Sequence, residues 1–197
     1  MKTAIQIVLV ALILVFGYLL YESIQGPIRF KQEQRARYDL AIERLKQIRT
    51  AQVLYRAENG KYTGSFDTLI QFIREGKMKV VRMEIDPTDT IDFSRGIAKD
   101  TIFVSIKDSL FKNVNIDSLN IIPVSGGNVE MASAQLVTGS KVVIPVFEAK
   151  IHNDILLQDL DPQQRINLNY EREQTVKYAG LKVGSIEEAN NNAGNWE

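Results

Sequence analysis

The chain has 197 residues, with 24 basic and 24 acidic side chains, one histidine and no cysteine. A formal net charge of zero offers no global field for nucleic acid. The missing cysteines exclude disulfides, thiolate nucleophiles and cysteine zinc sites together.

Residues 3–21 read TAIQIVLVALILVFGYLLY, an uncharged run with Gln6 as its strong polar residue, bounded by Lys2 and Glu22. About 20 apolar residues at 1.5 Å rise cross the roughly 30 Å hydrocarbon core of a bilayer. Tyr18 and Tyr21 lie near one end, where amphipathic rings favour the membrane interface. A cleaved signal peptide would need a longer basic start, a shorter apolar run and a small-x-small cleavage site. Tyr21-Glu22-Ser23-Ile24-Gln25-Gly26-Pro27 offers no such site, so residues 1–22 are expected to be a retained single-pass anchor, with the lipid bilayer as first partner.

Two signals for orientation oppose each other. Arg29, Lys31, Arg35 and Arg37 follow the run, which by the positive-inside rule places the rest in the cytoplasm. A short N-terminus before one long domain is instead the layout of exported anchored proteins, for which that rule is weaker. The expectation is an extracytoplasmic, periplasmic domain. Residues 29–56 are basic where anionic headgroups would attract them, although a solvated helix face accounts for them more simply.

Residues 23–59 form the second segment, an amphipathic extension. Gly26-Pro27 predicts a kink or a break. Beyond it Tyr38, Ala41, Leu45, Ile48, Gln52 and Tyr55 follow a three-four spacing, and Arg37, Glu43, Arg44, Lys46 and Arg56 take much of the remainder. This row is the predicted interaction face, to be buried on a sister helix or on the chain's own sheet. Asn59-Gly60 is the expected stop.

Residues 60–184 are expected to form an α+β domain. Ser65 is a plausible cap for a short helix whose apolar face is Phe66, Leu69, Ile70 and Ile73, stopped by Gly76. Strands are predicted over 79–85, 101–106, 121–124, 129–137, 141–151 and 166–170, mainly antiparallel, with 129–137 and 141–151 paired across Thr138-Gly139-Ser140. Pro123 and Pro145 call for edge positions or bulges. Residues 185–197 read as a short helix opened by Ser185-x-x-Glu188 and then a polar tail too rich in Asn and Gly to order itself. Trp196 there either frays or docks on this domain or on a partner.

Little of the sequence carries chemistry. His152 could pair with Asp154, but a triad also needs a placed nucleophile. Asp86, Asp89 and Asp92 are oxygen ligands that could suit calcium, although their spacing is not that of an EF-hand loop and turn-capping aspartates are commoner. Asp154, Asp159 and Asp161 form a second acidic group with the same simple explanation. Gly126-Gly127 fits neither phosphate-loop pattern. No enzyme, no cofactor other than calcium at that one site, and no nucleic-acid partner are expected.

The junction Ala51-Gln52-Val53-Leu54-Tyr55-Arg56-Ala57-Glu58-Asn59-Gly60-Lys61-Tyr62-Thr63 resembles the end of the long N-terminal helix in type IV pilins and type II secretion pseudopilins. Those families often carry an Ala-x-x-x-Tyr…Glu-Asn-Gly-x-Tyr pattern there, followed by a short helix such as Phe66-Asp67-Thr68-Leu69 would begin. The resemblance covers the first third of the chain and implies an anchored helix carrying a sheet domain, with a role in assembly. The prepilin-peptidase motif is missing, because pilins hold a glutamate inside the apolar run whereas Glu22 follows it here. The expected function is a membrane-anchored structural or assembly protein of the cell envelope, working by contact with other envelope proteins or with itself. The alternative is a membrane-tethered extracytoplasmic module that binds a ligand or an ion.

Overall fold

The structure, a computed structural model, describes residues 2–83, 99–139 and 141–197. Its first element is a single helix, α1, Lys2–Asn59, of 58 residues and roughly 87 Å at 1.5 Å per residue. Pro27 lies inside it, and the helix runs on without the break that the sequence suggested as one outcome. A proline costs an interior helix about 3 kcal/mol through one missing bond and a local clash. Here 25 helical residues precede it (2–26) and 32 follow it (28–59), so both sides propagate on their own. Gly60 (φ 72) closes the helix, its N–H donating to Arg56 O at 2.8 Å.

The two halves of α1 meet different surroundings. Residues 5–24 are exposed all round, whereas from Phe30 onward one side is buried. A short helix, α2 (Phe66–Glu75), follows as expected, with the Ser65 hydroxyl accepting from Thr68 N–H and Leu69 and Ile73 buried. Gly76 stops it by another means than the left-handed turn the sequence suggested. Its backbone is extended (φ −69, ψ 146), and it must be glycine because a Cβ would run into Phe72 O and come within 2.8 Å of Ile106 Cδ1.

Among the described residues the strands form two separate sheets. Strands β1 (Lys77–Met83) and β2 (Lys99–Ser105) form an antiparallel pair with Lys79 opposite Phe103. Both start two residues before the predicted positions, and buried Ile106 begins a short helix, α3 (Ile106–Leu110), instead of ending a strand. Strands β3 (Glu130–Val137), β4 (Val143–His152) and β5 (Gly180–Gly184) form an antiparallel sheet in that order. Pro145 pairs with Gln135 on one side and lies beyond the reach of β5, which pairs with Glu148–His152 only. The missing N–H therefore falls on a stretch with one neighbour, as a proline in a strand requires. Residues 121–124 form a turn, with one isolated bridge from Ile121 to Asn128, so Pro123 lies outside both sheets.

Two further predicted elements differ from the structure. Residues 166–170 lie within a helix, α5 (Pro162–Val176), which follows the four-residue helix α4 (Asn153–Leu156). Asp161 caps α5 by accepting from Gln164 N–H at 2.8 Å, Pro162 stands at its first turn, and Lys177 ends it in the left-handed conformation (φ 56). Ile-Asn-Leu-Asn-Tyr alternates, but five residues fit either period, and the cap decides. Residues 185–188 form no helix. Ser185 Oγ accepts from the N–H groups of Glu187 and Glu188 in a turn, after which the chain returns along β5 through a bridge from Gly194 to Val183.

The core lies between the second half of α1 and the inner face of the β3–β4–β5 sheet. Phe147, Ala149, Ile151, Leu181 and Val183 from the sheet meet Ala41, Leu45 and Ile48 from α1, with Leu69 and Ile73 of α2 in the same cluster. The protein is thus an α+β fold built on one long helix. Leu45→Ala is expected to cost about 2–5 kcal/mol of stability, as buried leucine truncations do. Leu40→Ala, on the exposed side of the same helix, should stay within about 0.5 kcal/mol. Urea unfolding of the full chain in detergent checks both, and equal effects would mean that the helix is turned the other way.

Candidate functional site

Among the described residues, one helix is long and apolar enough to cross a membrane, and it is α1, by its stretch near the N-terminus. None of that stretch is buried by the domain. Ile7, Ile13, Leu14, Phe16 and Leu20 all expose at least 60% of their surface. A continuous apolar surface of this size is far beyond what a folded domain leaves in water. The same helix then becomes the spine of the domain, so no linker separates the two.

The join is fastened by polar side chains. Just past the apolar stretch, Gly26 faces the side chain of Gln164, a Cβ there standing 3.9 Å from its Nε2. About three turns further, Arg37 is buried to 8% exposure. Its two Nη atoms grip the Asp159 carboxylate at 2.5 and 2.8 Å, and Nη1 also donates to Leu156 O at 3.1 Å. A two-pronged carboxylate is the best acceptor for a buried guanidinium, and it engages both Nη atoms here, while Nε is buried without a hydrogen-bond partner among the described residues. The Arg37 hydrogen bond holds the Asp159 carboxyl at about 2, down from 3.8.

Tyr38, the next residue, opens a chain of contacts into α4 and α5. Its hydroxyl donates to Asn153 Oδ1 at 2.6 Å, Asn153 Nδ2 donates to Asn169 Oδ1 at 2.9 Å, and Asn169 Nδ2 donates to Asp154 Oδ1 at 3.0 Å. Arg165 Nε stands 3.1 Å from the same Asp154 oxygen. Arg172 lies 5.6 Å over the Tyr38 ring and donates twice to Gly180 O. Burial is the main reason that the Tyr38 hydroxyl is held above its usual pKa range. Asn153 is fully buried, so this network is fixed in the core.

The predicted interaction face is mostly consumed inside the domain. Ala41, Leu45, Ile48 and Gln52 have no exposed surface, while Tyr38 and Tyr55 are half-buried at the two ends of the row. Of the two destinations considered for this row, the chain's own sheet occupies it, which corrects its reading as a face for other proteins. Gln52 is polar yet buried because its amide meets the backbone of Thr63 in both directions, at 2.6 Å to O and 3.2 Å from N–H, and it also donates to Met131 Sδ at 3.0 Å. Tyr55 stacks edge-on against Phe72 at 5.1 Å, and Tyr62 lies 4.9 Å from Phe147. These contacts hold the junction motif onto the sheet.

The acidic groups divide. Asp86, Asp89 and Asp92, the calcium candidates, lie outside the described residues. Asp154, Asp159 and Asp161 each have local work, with Arg165, with Arg37 and as the α5 cap. Among the described residues, no three His, Asp or Glu side chains are placed to hold a metal ion. His152 Nδ1 accepts from Asp154 N–H at 3.1 Å, so this nitrogen caps α4. Glu148 sits between Lys150 and Lys182, each 3.8 Å away. Tyr178 is pushed far above its usual range by burial and by the Glu130 and Glu148 charges.

Outward apolar residues of the domain include Leu40 and Val53 on α1, Phe103 on β2, Val124 in the turn after Ile121, Ile166 and Tyr170 on α5, and Val137, Val142 and Val143 at the β3–β4 tip. An open groove of about 420 Å³ runs beside that hairpin, lined by Tyr55, Lys61, Thr68, Ser133, Gln135 and Pro145. The sequence did not mark the Arg37–Asp159 pair, since Arg37 sits in a basic run that reads as solvated and its partner is 122 residues away. Compared with protein-family models, with curated proteins and with solved structures, the chain finds no match in any of the three.

Asp159, with a depressed folded pKa, contributes stability that is whole above about pH 4 and is lost as pH falls through about 2. Asp159→Asn should therefore flatten the loss of thermal stability between those values, while lowering stability at pH 7. A wild-type acid limb unchanged by the substitution would show that the pair is idle. Tyr38→Phe leaves the buried Asn153 Oδ1 without its donor and should cost about 1–3 kcal/mol, which denaturant titration measures.

Proposed function

We propose that this chain is a single-pass, membrane-anchored structural protein of the cell envelope, with its domain on the extracytoplasmic side, acting through contacts with other proteins or with further copies of itself. The observation that carries this reading is the continuity of α1. One helix is both the exposed apolar stretch and the buried spine of the domain. A tethered domain that only needs proximity to a membrane can hang on a flexible linker. A continuous helix instead fixes the height and orientation of the domain, which assembly requires and a tether does not.

The junction's resemblance to type IV pilins and pseudopilins implied a sheet laid on the second half of a long helix, and this chain has that layout. It supports the reading, as do the exposed apolar residues Leu40, Val53, Ile166 and Tyr170 on the two longest helices.

Three measurements test the proposal. Ile13→Lys places a charge at mid-span, at about 2.5–3.5 kcal/mol against insertion, and should move the protein from the membrane to the soluble fraction. A topology reporter joined after Glu197 should be active outside the cytoplasm. A photo-crosslinking residue at Val53 or at Tyr170 should trap discrete adducts in cells. A protein that stays soluble as wild type, a reporter active only in the cytoplasm, or a chain that traps no adduct at either position would each remove the corresponding part of the reading.

A further inference from the structure

The outer edge of β5 is covered at Lys182, at Gly184 N–H and at Gly180 O by the C-terminal segment, whose attachment is flawed. An edge strand presents outward N–H and C=O groups that template another strand. On β5 these belong to Gly180, Lys182 and Gly184. Asn195 N–H donates to Lys182 O at 3.0 Å, and Lys182 N–H donates back to Asn195 Oδ1 at 3.1 Å. Gly184 N–H donates to Ala193 O at 3.0 Å, and Asn195 Nδ2 donates to Gly180 O at 3.0 Å. One asparagine side chain thus stands in for backbone on both counts.

The rest of the segment is fitted to the domain as closely. Gly194 lies against the Trp196 indole, where any Cβ would collide with the ring, and Trp196 packs against the core. Arg49 Nη1 on α1 donates to Glu197 Oε1 at 2.7 Å and to Asn192 O at 3.3 Å, and Asn192 Nδ2 donates to Tyr62 Oη at 2.9 Å. Residues 190–197 are a strap with a seat of matching shape and polarity.

Two features oppose this seating. Asn191 and Asn192 are consecutive left-handed residues, φ 53 and 59, neither of them glycine. Trp196 Nε1 is buried without a hydrogen-bond partner among the described residues, so a donor has been dehydrated for no return. Release of the strap relieves both, and reseating on a second copy buries the indole N–H again but leaves the Asn191-Asn192 turn free to open. A short hinge under strain is the local condition that favours exchange of an identical element between copies.

We propose that the outer edge of β5 is a strand-addition site whose other occupant is residues 190–197 of a second copy. The strap leaves its own β5 and takes the same seat on a neighbour. The partner is identified by fit: Ala193-Gly194-Asn195-Trp196-Glu197 is a sequence that the structure seats on Lys182, on the core and on Arg49 together. Exchange keeps the contacts of residues 193–197 with β5, the core and Arg49, and gives up the left-handed turn at Asn191 and Asn192 together with the Asn192 contacts to Arg49 and Tyr62, so the balance is set by hinge strain and by the concentration of copies. This site extends the self-association named in the proposed function, and gives it a specific surface.

The test uses the full chain in membranes. Two copies with different tags, one carrying Arg49→Cys and the other Glu197→Cys, are co-expressed and treated with a short bismaleimide. Linked heterodimers should exceed by about tenfold those from an Asp117→Cys and Glu197→Cys pair, since docking turns a collision into an encounter at high effective concentration. Asn191→Gly with Asn192→Gly, which relaxes the hinge, should cut that yield several-fold. Both substitutions in one chain should link within the monomer. Linking within the monomer but none between copies above the control pair overturns the proposal, and so does an absence of both, because the strap is then not seated. Adducts at Val53 or Tyr170 without this heterodimer would leave assembly standing and remove strap exchange.

Discussion

One helix has to satisfy two solvents, and the rest of the protein follows from how it does so. From Ile5 to Tyr21 α1 offers almost wholly apolar surface in every direction, which only a hydrocarbon phase or other helices satisfy. Beyond Phe30 the same rod must be wet on one side and dry on the other. Ala41 and Ala51 are small enough to bring the sheet close, Leu45 and Ile48 fill the space between, and Gln52 replaces lost water with the Thr63 backbone. The sheet needs this helix as much as the helix needs the sheet. Three strands alone have one face to bury and nothing else of comparable length to bury it against.

The fastening is graded along the rod. Nearest the apolar stretch it is polar and two-pronged, Arg37 on Asp159 and Tyr38 on Asn153. In the middle it is apolar. At the far end it is aromatic and amide, Tyr55 on Phe72, Tyr62 on Phe147 and Gln52 on Thr63. Hydrogen bonds have geometry where apolar contact has little. Polar contacts at both ends of a greasy middle therefore fix the rotation of the helix and its axial position, which the middle alone would leave loose. The Arg37 pair derives its value from this placement, since its aspartate is well exposed and a charge pair with one wet partner adds little energy of its own.

The sequence disclosed what depends on neighbours along the chain. The apolar run, the three-four row from Tyr38 to Tyr55, the Asn59-Gly60 stop, the Ser65 cap and the β3–β4 hairpin all rest on local periodicity or turn chemistry. Residues 166–170 misled because alternation over five positions is also what a helix with Ile166 and Tyr170 outward and Leu168 inward displays. Asp161-Pro162 ahead of it was the better signal. The polar network was hidden for a different reason: Arg37 and Asp159, or Asn192 and Tyr62, find each other across more than a hundred residues, and no spacing rule reaches that far. The tail was illegible on composition alone. Its asparagines look like disorder until Lys182 and Gly180 are known to lie opposite Asn195.

The uninterrupted course of α1 through Pro27 has a geometric consequence. An α-helix advances 1.5 Å and turns about 100° with each residue. Between Tyr21, where the apolar run ends, and Phe30, where burial begins, the backbone works as a screw of fixed pitch. Adding or removing one residue there would swing the domain by about 100° around the rod and shift it by about 1.5 Å, while leaving the contacts beyond Phe30 untouched. In this stretch the number of residues, more than their identity, is the specification, and a single-codon insertion would act as a change of phase.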